Sequence, residues 1–261
     1  MIHPTAIVDP RAELGRDVSV GAYAVIRADV TLGDGCRVGE HVLVEGPTVL
    51  GRDNALHPHS VVGTAPQDLK YKGEPTRLEM GDGNVVREFV TLNRGTVQGE
   101  GLTKIGHRCL FMAFTHVAHD CRVGSHVIMA NNAALAGHVH MEDFVVVGGM
   151  VGIHQFVRIG ESAMLAGGSM VGKDVPPFSL VQGDRARIVG VNAVGLKRRG
   201  FSEASIAAVH ATVRTWIKSR AGFEKTLSQV EAEYGADEKV AQWIRFVRAS
   251  SDRGVLFKDQ S

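Results

Sequence analysis

The sequence has little that would suit a membrane protein, a disulfide-rich protein or a nucleic-acid-binding protein. Only three cysteines occur among its 261 residues, and no stretch approaches the roughly 18 apolar residues that a membrane-spanning helix requires. The first residues lack the charged segment, apolar run and cleavage site of a secretory signal. A formal net charge of +1 provides no excess of Lys and Arg for binding a phosphate backbone. We therefore expect a soluble, cytoplasmic protein that neither enters a membrane nor binds nucleic acid.

The sequence has instead a repeat of six residues. Apolar residues recur at every sixth position from Val8 to Val62, from Met80 to Leu92 and from Ile105 to Val171. The residue two places earlier is almost always small or β-branched, and residues two apart face the same side of a strand. Such a short fixed period is the signature of a β-solenoid, in which each rung buries its apolar side by stacking on its neighbours. The narrow interior that this predicts agrees with an aromatic content of only 6%.

The cysteines Cys36, Cys109 and Cys121 all occupy the small inward position of the repeat. We expect them to be free thiols that pack as small apolar side chains. Their spacing suggests neither a disulfide framework nor a metal site.

The repeat stops at Pro176 and Pro177, and a helical period follows a connector rich in glycine and charge over residues 183–190. Ser202 and Asp237 precede the helical stretches and are favoured N-cap residues. The sequence therefore predicts a solenoid domain over residues 1–190 and a smaller all-helical domain over residues 191–261.

Two interruptions of the repeat, residues 63–79 and 93–101, are predicted to leave the stack as loops. Loops on a rigid scaffold are common places for ligand contacts. The alternative is that they are tolerated surface insertions.

If three hexads close one triangular coil, residues 18 apart lie one above another. The hexads that begin at Ala118, Ala136 and His154 then share one side of three successive coils. This stacking predicts a polar cluster that could act as an acid–base site, although a single solenoid histidine is more often a solvated corner. Its members are His119, His138, His154 and Gln155, beside His116 and Asp120.

Such a cluster can perform acyl transfer without a protein nucleophile. A neutral imidazole of His119 could accept a proton from a hydroxyl that attacks a thioester, while Asp120 sets its tautomer. The backbone amide of Gly137, one coil above, is a candidate donor to the oxyanion.

Seven stretches of the chain together resemble the UDP-N-acetylglucosamine O-acyltransferase family, which opens lipid A biosynthesis in Gram-negative bacteria. In order, they are PQDLKYKGEPT, LNRGTVQGEGLTKIG, HVAHDCRVG, ANNAALAGHV, GGMVGIHQFVRIG, DVPPF and GVNAVGLKRRGFS. The resemblance implies a left-handed parallel β-helix with a C-terminal helical domain, assembled as a homotrimer with active sites between subunits. It also implies transfer of a 3-hydroxyacyl chain from acyl carrier protein to the 3-hydroxyl of UDP-N-acetylglucosamine, without a cofactor or metal.

The resemblance assigns roles to individual residues. His119 matches the general base, Asp120 its partner and Gly137 the oxyanion amide. Gly167 matches a position where a small residue leaves room for a long acyl chain. The substrate-contacting positions are matched by His116, His138, His154 and Gln155, those of the sugar-nucleotide loop by Gln67, Asp68 and Lys70, and those of the nucleotide by Asn192, Arg198 and Arg199. For the two arginines, an ordinary solvated helix end is the alternative.

Three residues depart from the family pattern. Asn93 replaces a histidine, Val194 replaces an acidic residue near the nucleotide, and Arg185 replaces a histidine at the far end of the acyl groove. The acceptor could therefore carry a 3-amino group instead of a 3-hydroxyl. A different enzyme class, a trimeric zinc carbonic anhydrase, would use three histidines such as His116, His119 and His138.

A basic column follows from the stacking of residues 18 apart and not from the family. It consists of Lys104, Arg122, His140 and Arg158, all at the outward position of one side. Stacked like charges disfavour a sheet, so we hypothesise that the column docks the acidic carrier protein. A solvated face balanced by nearby acids is the alternative.

Overall fold

The computed structural model describes residues 1–249 and 251–257, and its main feature is a stack of very short strands. In chain order they are β1 (Ile7–Val8), β2 (Glu13–Leu14), β3 (Ser19–Val20), β4 (Val25–Ile26), β5 (Val30–Leu32), β6 (Arg37–Val38), β7 (Leu43–Val44), β8 (Thr48–Leu50), β9 (Ala55–Leu56), β10 (Val61–Thr64), β11 (Arg77–Met80), β12 (Val85–Val86), β13 (Thr91–Asn93), β14 (Leu102–Ile105), β15 (Leu110–Phe111), β16 (His116–Val117), β17 (Arg122–Val123), β18 (Ile128–Met129), β19 (Ala134–Leu135), β20 (His140–Met141), β21 (Val146–Val147), β22 (Gly152–Ile153), β23 (Arg158–Ile159), β24 (Met164–Leu165), β25 (Met170–Val171), β26 (Ser179–Gln182) and β27 (Arg187–Val191).

Strands that are three apart in this order pair with each other, so the chain winds as a triangular coil with three sheets. The first sheet runs from β1 through β16 to β25, the second from β2 through β17 to β23, and the third from β3 through β15 to β24, β26 and β27. The pairs are parallel, except that β26 and β27 are antiparallel. Because one coil contains three strands, the fold is a parallel β-helix.

The register is the one that the hexad spacing predicts. His116 pairs with Ala134, and Ala134 pairs with Gly152, so successive partners are three hexads apart. Thr91 and His116 also lie one coil apart, but their separation is 25 residues because the loop over residues 93–101 intervenes. The predicted interruptions therefore leave the stack, and the pairing continues past them with one shift of register between Val62 and Thr64 of β10.

The interior of the coil contains the apolar positions of the repeat and the three cysteines. All three cysteines are free and buried, as predicted. Their thiols donate to the carbonyl groups of Gly51, Gly124 and Ala136, respectively. Burial raises the thiol pKa to about 11 for Cys109 and about 12 for Cys121. They are therefore packing residues with little thiolate character.

Corners join the strands, and many place a residue other than glycine at positive φ. Asp120, His138 and Phe156 have φ of 59°, 62° and 66° at successive levels of the corner between the first and second sheets. This left-handed conformation is unfavourable for most residues, and here the stacked backbone maintains it. The amide of His138 donates to the carbonyl of His119 at 3.0 Å, for example. The same corner therefore presents its side chains one above another.

The chain after the prolines begins with a hairpin. The sequence predicts a connector over residues 183–190, but β27 covers the second half of this segment and pairs with β26. The glycines and charged residues of this segment suggest a loop, but it forms a strand because it pairs with the edge that β26 provides. The helices follow as α1 (Ala193–Arg198), α2 (Glu203–Lys218), α3 (Phe223–Tyr234) and α4 (Glu238–Arg248).

The helices pack around two tryptophans and continue the apolar core of the β-helix. Trp216 and Trp243 are buried with their ring centroids 5.0 Å apart. Ser202 and Asp237 cap α2 and α4 as predicted, each accepting from amides of the first turn. The division into domains at residue 190 remains a prediction, since buried side chains of both parts form one cluster. Among the residues that the structure describes, no helix is long and apolar enough to cross a bilayer.

The interior should dominate stability, and a matched pair of leucine substitutions measures this. Leu165 is 0% exposed in the coil and Leu69 is 96% exposed in the first loop. We expect Leu165→Ala to lower the free energy of unfolding by about 2–5 kcal/mol and Leu69→Ala by less than about 0.5 kcal/mol. Denaturant unfolding monitored by circular dichroism checks this. Equal effects of the two substitutions would contradict the assignment of the core.

Candidate active site

A histidine and an aspartate form a tight pair at the corner after β16. His119 Nδ1 lies 2.8 Å from Asp120 Oδ2, and the side chains are 16% and 3% exposed, respectively. The two residues are adjacent in sequence, and the positive φ of Asp120 turns its carboxylate back toward the imidazole. The sequence predicted this pairing, and the structure brings the two groups together.

The second loop supplies the remaining partners of the Asp120 carboxylate. The Thr96 amide donates to both carboxylate oxygens at 3.0 and 3.1 Å, and the Thr96 hydroxyl donates to Oδ2 at 2.6 Å. Burial by itself would raise the pKa of Asp120, but the hydrogen bonds from His119 and Thr96 outweigh it and lower that pKa. An ionised carboxylate only accepts hydrogen bonds, so His119 Nδ1 carries the proton and Nε2 keeps a free lone pair when the ring is neutral.

Gly137 lies against the ring of His119 from the next coil. A Cβ atom at this position would be 2.5 Å from His119 Cε1, so only glycine fits beside the imidazole. Among residues 1–249 and 251–257, no acceptor is within hydrogen-bonding distance of the Gly137 amide. A backbone N–H beside a base is suited to stabilising an oxyanion.

His138 completes the corner, one coil above Asp120. Its Nε2 lies 3.7 Å from Asp120 Oδ2, and its ring stacks on Phe156 with centroids 4.5 Å apart. Burial lowers the pKa of His138 more than the negative charges of Asp120 and Asp68 raise it, so the ring is mostly neutral at pH 7. Because the negative charge of Asp68, a residue of the first loop, acts on the pKa of His138, this loop approaches the corner.

His116 and His154 do not join the corner, although the sequence predicted one cluster. His116 Nδ1 lies 2.7 Å from Thr91 Oγ1, and burial together with His119 lowers the pKa of His116. His154 is exposed and contacts Arg253 and the carbonyl of Gln155. Both histidines line a neighbouring cleft. His116 faces outward from β16, and His154 directly follows β22 of the same sheet, so both lie beside the cleft.

The cleft has a volume of about 1290 Å³ and lies between the first sheet, the β26–β27 hairpin and the helices. His116, Ala134, Gly152 and Met170 line it from four successive coils, which corresponds to a length of roughly 14 Å. Arg185 lies in the lining as well, whereas Gly167 is an exposed corner residue outside it. The remaining lining is largely apolar and includes Ile153, Ile188, Trp216, Ile217, Leu256 and Phe257.

The two loops are bound to each other by the segment that follows β13. The Arg94 guanidinium donates to Tyr71 Oη at 3.1 Å and to the carbonyl of Gly63 at 2.8 Å. Asn93 Nδ2 donates to Thr64 Oγ1 at 2.9 Å and to the carbonyl of the next residue at 3.0 Å. Asn93, which departs from the family pattern, therefore holds the base of the first loop. Gln67 and Lys70 are exposed on that loop.

The residues expected at the nucleotide lie at a different corner of the coil. Asn192 caps α1 and donates to the carbonyl of Ser162 at 2.9 Å. Arg199 pairs with Glu161, and its guanidinium lies 3.7 Å from the centroid of Phe144, at the corner between the second and third sheets. Arg198 and Val194 are exposed on the same short helix. Within one chain, these residues and His119 therefore occupy separate corners.

The basic column is in register, but its members have partners within the protein. Lys104 pairs in the ladder with Arg122, Arg122 with His140, and His140 with Arg158. Arg122 forms an ion pair with Glu100, and Arg158 binds the carbonyl of Ala249. Burial, followed by the adjacent arginines, lowers the pKa of His140. The column is therefore less positive than its sequence suggests, and its docking role stays a prediction.

The groups that could hold a metal differ from the three histidines expected of a zinc site. Among the described residues, the ligand atoms of His119, Asp120 and His138 lie within 4.8 Å of one another. His116 Nδ1 is instead engaged with Thr91. Asp120 Oδ2 already accepts from His119 and from Thr96, so a metal there would have to displace existing hydrogen bonds.

The stacked hexads and the His–Asp pair at a corner are features of a hexapeptide-repeat transferase. Residues 11–46 and 102–137 match the bacterial transferase hexapeptide family, and residues 174–256 match the second domain of UDP-N-acetylglucosamine O-acyltransferases. The chain belongs to the UDP-N-acetylglucosamine O-acyltransferase family.

Similarity to individual members extends over nearly the whole chain. The acyl-[acyl-carrier-protein]--UDP-N-acetylglucosamine O-acyltransferase of Anaeromyxobacter sp. is 48% identical over 97% of this chain and 98% of its own. That of Saccharophagus degradans is 45% identical over 98% of both chains. The solved structure of LpxA from Acinetobacter baumannii has a TM-score of 0.94 and 42% identity, covering 98% of this chain and 99% of its own. These similarities confirm the predicted family and the left-handed parallel β-helix with C-terminal helices.

Several residues of the site were missed by sequence reasoning, above all Thr96 and Thr91. Thr91 lies one coil from the histidine that it contacts, whereas Thr96 lies in the second loop, and the inserted residues obscure both relations. The only signal was the presence of Thr96 in the second interruption of the repeat.

The pKa of Asp120 predicts how stability depends on pH. Because the folded pKa is below the unfolded value of about 3.9, the ionised carboxylate stabilises the fold above that pH, and the contribution is lost as pH falls through the folded pKa. We expect Asp120→Asn to lower the Tm most near pH 6 and progressively less below about pH 4, where the carboxyl of the unfolded chain binds a proton before the native carboxyl does. Thermal unfolding between pH 6 and 3 measures this.

The matched control is Asp17→Asn. Asp17 is an exposed corner residue with φ of 58°, close to the 59° of Asp120, and asparagine tolerates this conformation. Its substitution should change the Tm little at any of these pH values. A Tm difference for Asp120→Asn that stays constant down to pH 3 would contradict the depressed pKa.

Proposed function

We propose that this protein transfers a 3-hydroxyacyl chain from acyl carrier protein to the 3-hydroxyl of UDP-N-acetylglucosamine, the first step of lipid A biosynthesis, in the cytoplasm. The observation that carries the proposal is the pair formed by His119 and Asp120, with the unbonded Gly137 amide beside it. The relatives with 44–48% identity are named as enzymes that use an acyl carrier protein and UDP-N-acetylglucosamine, which supports the same pair of substrates here.

In the proposed reaction, His119 Nε2 accepts the proton of the sugar 3-hydroxyl as its oxygen attacks the thioester carbon. A C–O bond forms, and the amide of Gly137 stabilises the tetrahedral oxyanion. The intermediate then collapses, the C–S bond breaks, and His119 returns the proton to the thiolate of the carrier protein. Asp120 keeps Nδ1 protonated and stabilises the imidazolium between the two steps.

We assign the long apolar cleft to the acyl chain. Its lining begins at the coil of His116, which neighbours the catalytic corner, and continues past Met170 to Arg185. A length of roughly 14 Å suits an extended chain of about ten carbons or more. Gly167 lies outside this cleft, so the longer acyl group rests on the cleft length and on the family resemblance. His154, which lines the cleft, and Gln155, which lies at the corner one coil above Gly137, would contact the substrate.

The separation of the two corners supports a homotrimer with sites between subunits. Asn192, Arg198 and Arg199 cannot join the sugar-nucleotide residues Gln67, Asp68 and Lys70 at the corner of His119 unless a second copy brings them there. A third corner, between the third and first sheets, offers a surface for assembly. There Tyr23, His41, His59, Phe89 and Phe114 stack with centroids 5.0–5.1 Å apart.

The carrier protein remains the proposed partner of the basic column. Lys104 is exposed, whereas Arg122 and Arg158 are engaged with Glu100 and with the end of α4. The positive charge that the column presents to an acidic partner would therefore come mainly from Lys104 and from the part of the Arg122 guanidinium that does not contact Glu100.

The decisive substitution for the reaction is His119→Ala. We expect intact protein to transfer 3-hydroxyacyl chains to UDP-N-acetylglucosamine, and His119→Ala to reduce kcat by about 10²–10⁴-fold because the general base is lost. His107→Ala, which removes an exposed histidine at another corner, is the matched control and should retain activity. A panel of hydroxyacyl carrier proteins measures chain preference in the same assay.

The outcomes separate the candidate functions. If the protein transferred the acyl chain only to the 3-amino sugar, the proposed acceptor would be wrong but the proposed site would stand. Bound zinc with carbon dioxide hydration, and no acyl transfer by the intact protein, would replace the proposed function altogether.

The aromatic corner predicts the determinants of assembly. Phe89 and Val49 are both 47% exposed, but Phe89 lies in the aromatic stack and Val49 on the outer side of the second sheet. We expect Phe89→Asp to shift the mass in light scattering from three times the chain mass of 28.0 kDa toward a single chain. Val49→Asp should leave the trimer intact. A trimer unaffected by Phe89→Asp would exclude this corner as the contact.

A further inference from the structure

The second loop closes over the catalytic carboxylate. Thr96 lies 24 residues before Asp120, yet it provides three of the hydrogen-bond contacts to the two carboxylate oxygens, one of them from its hydroxyl at 2.6 Å. Both residues are buried. The fourth contact is from His119 Nδ1, which shares Oδ2 with the Thr96 hydroxyl. The orientation of the imidazole therefore depends on an oxygen that Thr96 also holds.

The turn that carries Thr96 is itself closely fitted to this carboxylate. The amides of Gly99 and Gly101 donate to the carbonyl of Thr96 at 3.1 and 3.0 Å. A Cβ atom at Gly99 would lie 2.3 Å from Asp120 Oδ1, so the loop backbone approaches the carboxylate as closely as a glycine permits. On the other side, the Asp120 amide donates to Thr103 Oγ1 at 2.8 Å. The second loop and the adjacent coil together hold the Asp120 carboxylate in one orientation.

We propose that Thr96 is a positioning residue for the catalytic base, acting through Asp120 on the tautomer and orientation of His119. This inference rests on the proposed function. The hydroxyl of Thr96 directs Oδ2 toward His119 Nδ1, and the amide of Thr96 fixes the plane of the carboxylate. His119 Nε2 is thereby left unprotonated and directed toward the space beside Gly137.

The hydrogen bond from Thr96 also fixes the negative charge that faces the imidazole. Without the Thr96 hydroxyl, Oδ2 is free to turn away from His119 Nδ1, so the carboxylate stabilises the protonated ring less. Removing the hydroxyl should therefore move the acid limb of the kcat/KM profile to lower pH. A residue with a merely structural role would lower stability without moving that limb.

The test compares three substitutions of buried threonine side chains. Thr96→Val keeps the shape but removes the donor, whereas Thr96→Ser keeps the donor. Thr103→Val is the matched control, because the Thr103 hydroxyl contacts the Asp120 backbone and not its carboxylate. We expect Thr96→Val to lower kcat about 10–100-fold, to leave the KM for UDP-N-acetylglucosamine within a few-fold, and to shift the acid limb to lower pH. Thr96→Ser should restore kcat to within a few-fold, and Thr103→Val should keep the acid limb in place.

A second measurement does not depend on activity. Nitrogen-15 NMR of histidine-labelled protein, at a pH where the ring is neutral, reports which nitrogen of His119 carries the proton. We expect the Nδ1-protonated form in the native protein and in Thr96→Ser, and an increased Nε2-protonated population in Thr96→Val. If Thr96→Val does not fold, Thr96→Cys, with a weaker donor of similar size, replaces it.

The outcomes distinguish the role of Thr96 from the proposed acyl-transfer function. Unchanged kcat, pH profile and tautomer in Thr96→Val would overturn the role of Thr96. Absence of acyl transfer by the native protein would overturn the proposed function, while the NMR comparison would still decide whether Thr96 sets the tautomer of His119.

Discussion

The stacking of one coil on the next is the interaction on which the rest of this structure depends. A coil made of strands of two to four residues cannot bury its apolar side chains alone, so its stability comes from parallel pairing with the coils above and below. That pairing requires a register of three hexads, and the register aligns residues into columns along each side and corner. The corner of His119 and Asp120, the apolar cleft and the aromatic corner are three such columns with different chemistry.

A buried carboxylate is the second constraint, and it explains why the loops matter. Removing Asp120 from water is costly unless hydrogen bonds replace its hydration. The regular coil supplies one partner, His119, and the second loop supplies Thr96. The same loop segment uses Arg94 to hold Tyr71 of the first loop. One interruption of the repeat therefore supports both the pair of His119 and Asp120 and the first loop, which we propose binds the sugar nucleotide.

The residues of the proposed site lie at different corners of the coil, and this placement relates the fold to the assembly of several copies. Each coil has three corners, and a single chain cannot bring residues at two of them to one ligand. His119 lies at the corner between the first and second sheets, whereas Arg199 stacks on Phe144 at the next corner. A symmetric assembly solves this problem, because the corner of one copy can meet a different corner of its neighbour. The geometry of one chain thus already favours sites that are shared between copies.

The six-residue period by itself determined the coil, the direction of each side chain and the levels of His119, Asp120, Gly137 and His138. It also predicted the buried cysteines, because inward or outward direction in a strand follows from position alone. Tertiary structure decided the contact between Thr96 and Asp120, the partners of His116 and His154, and the partners of Arg199. It also made β27 a strand where glycine and charge suggested a connector. The physical reason is that these features depend on the path of inserted loops and on edges provided by distant residues, which a local period does not encode.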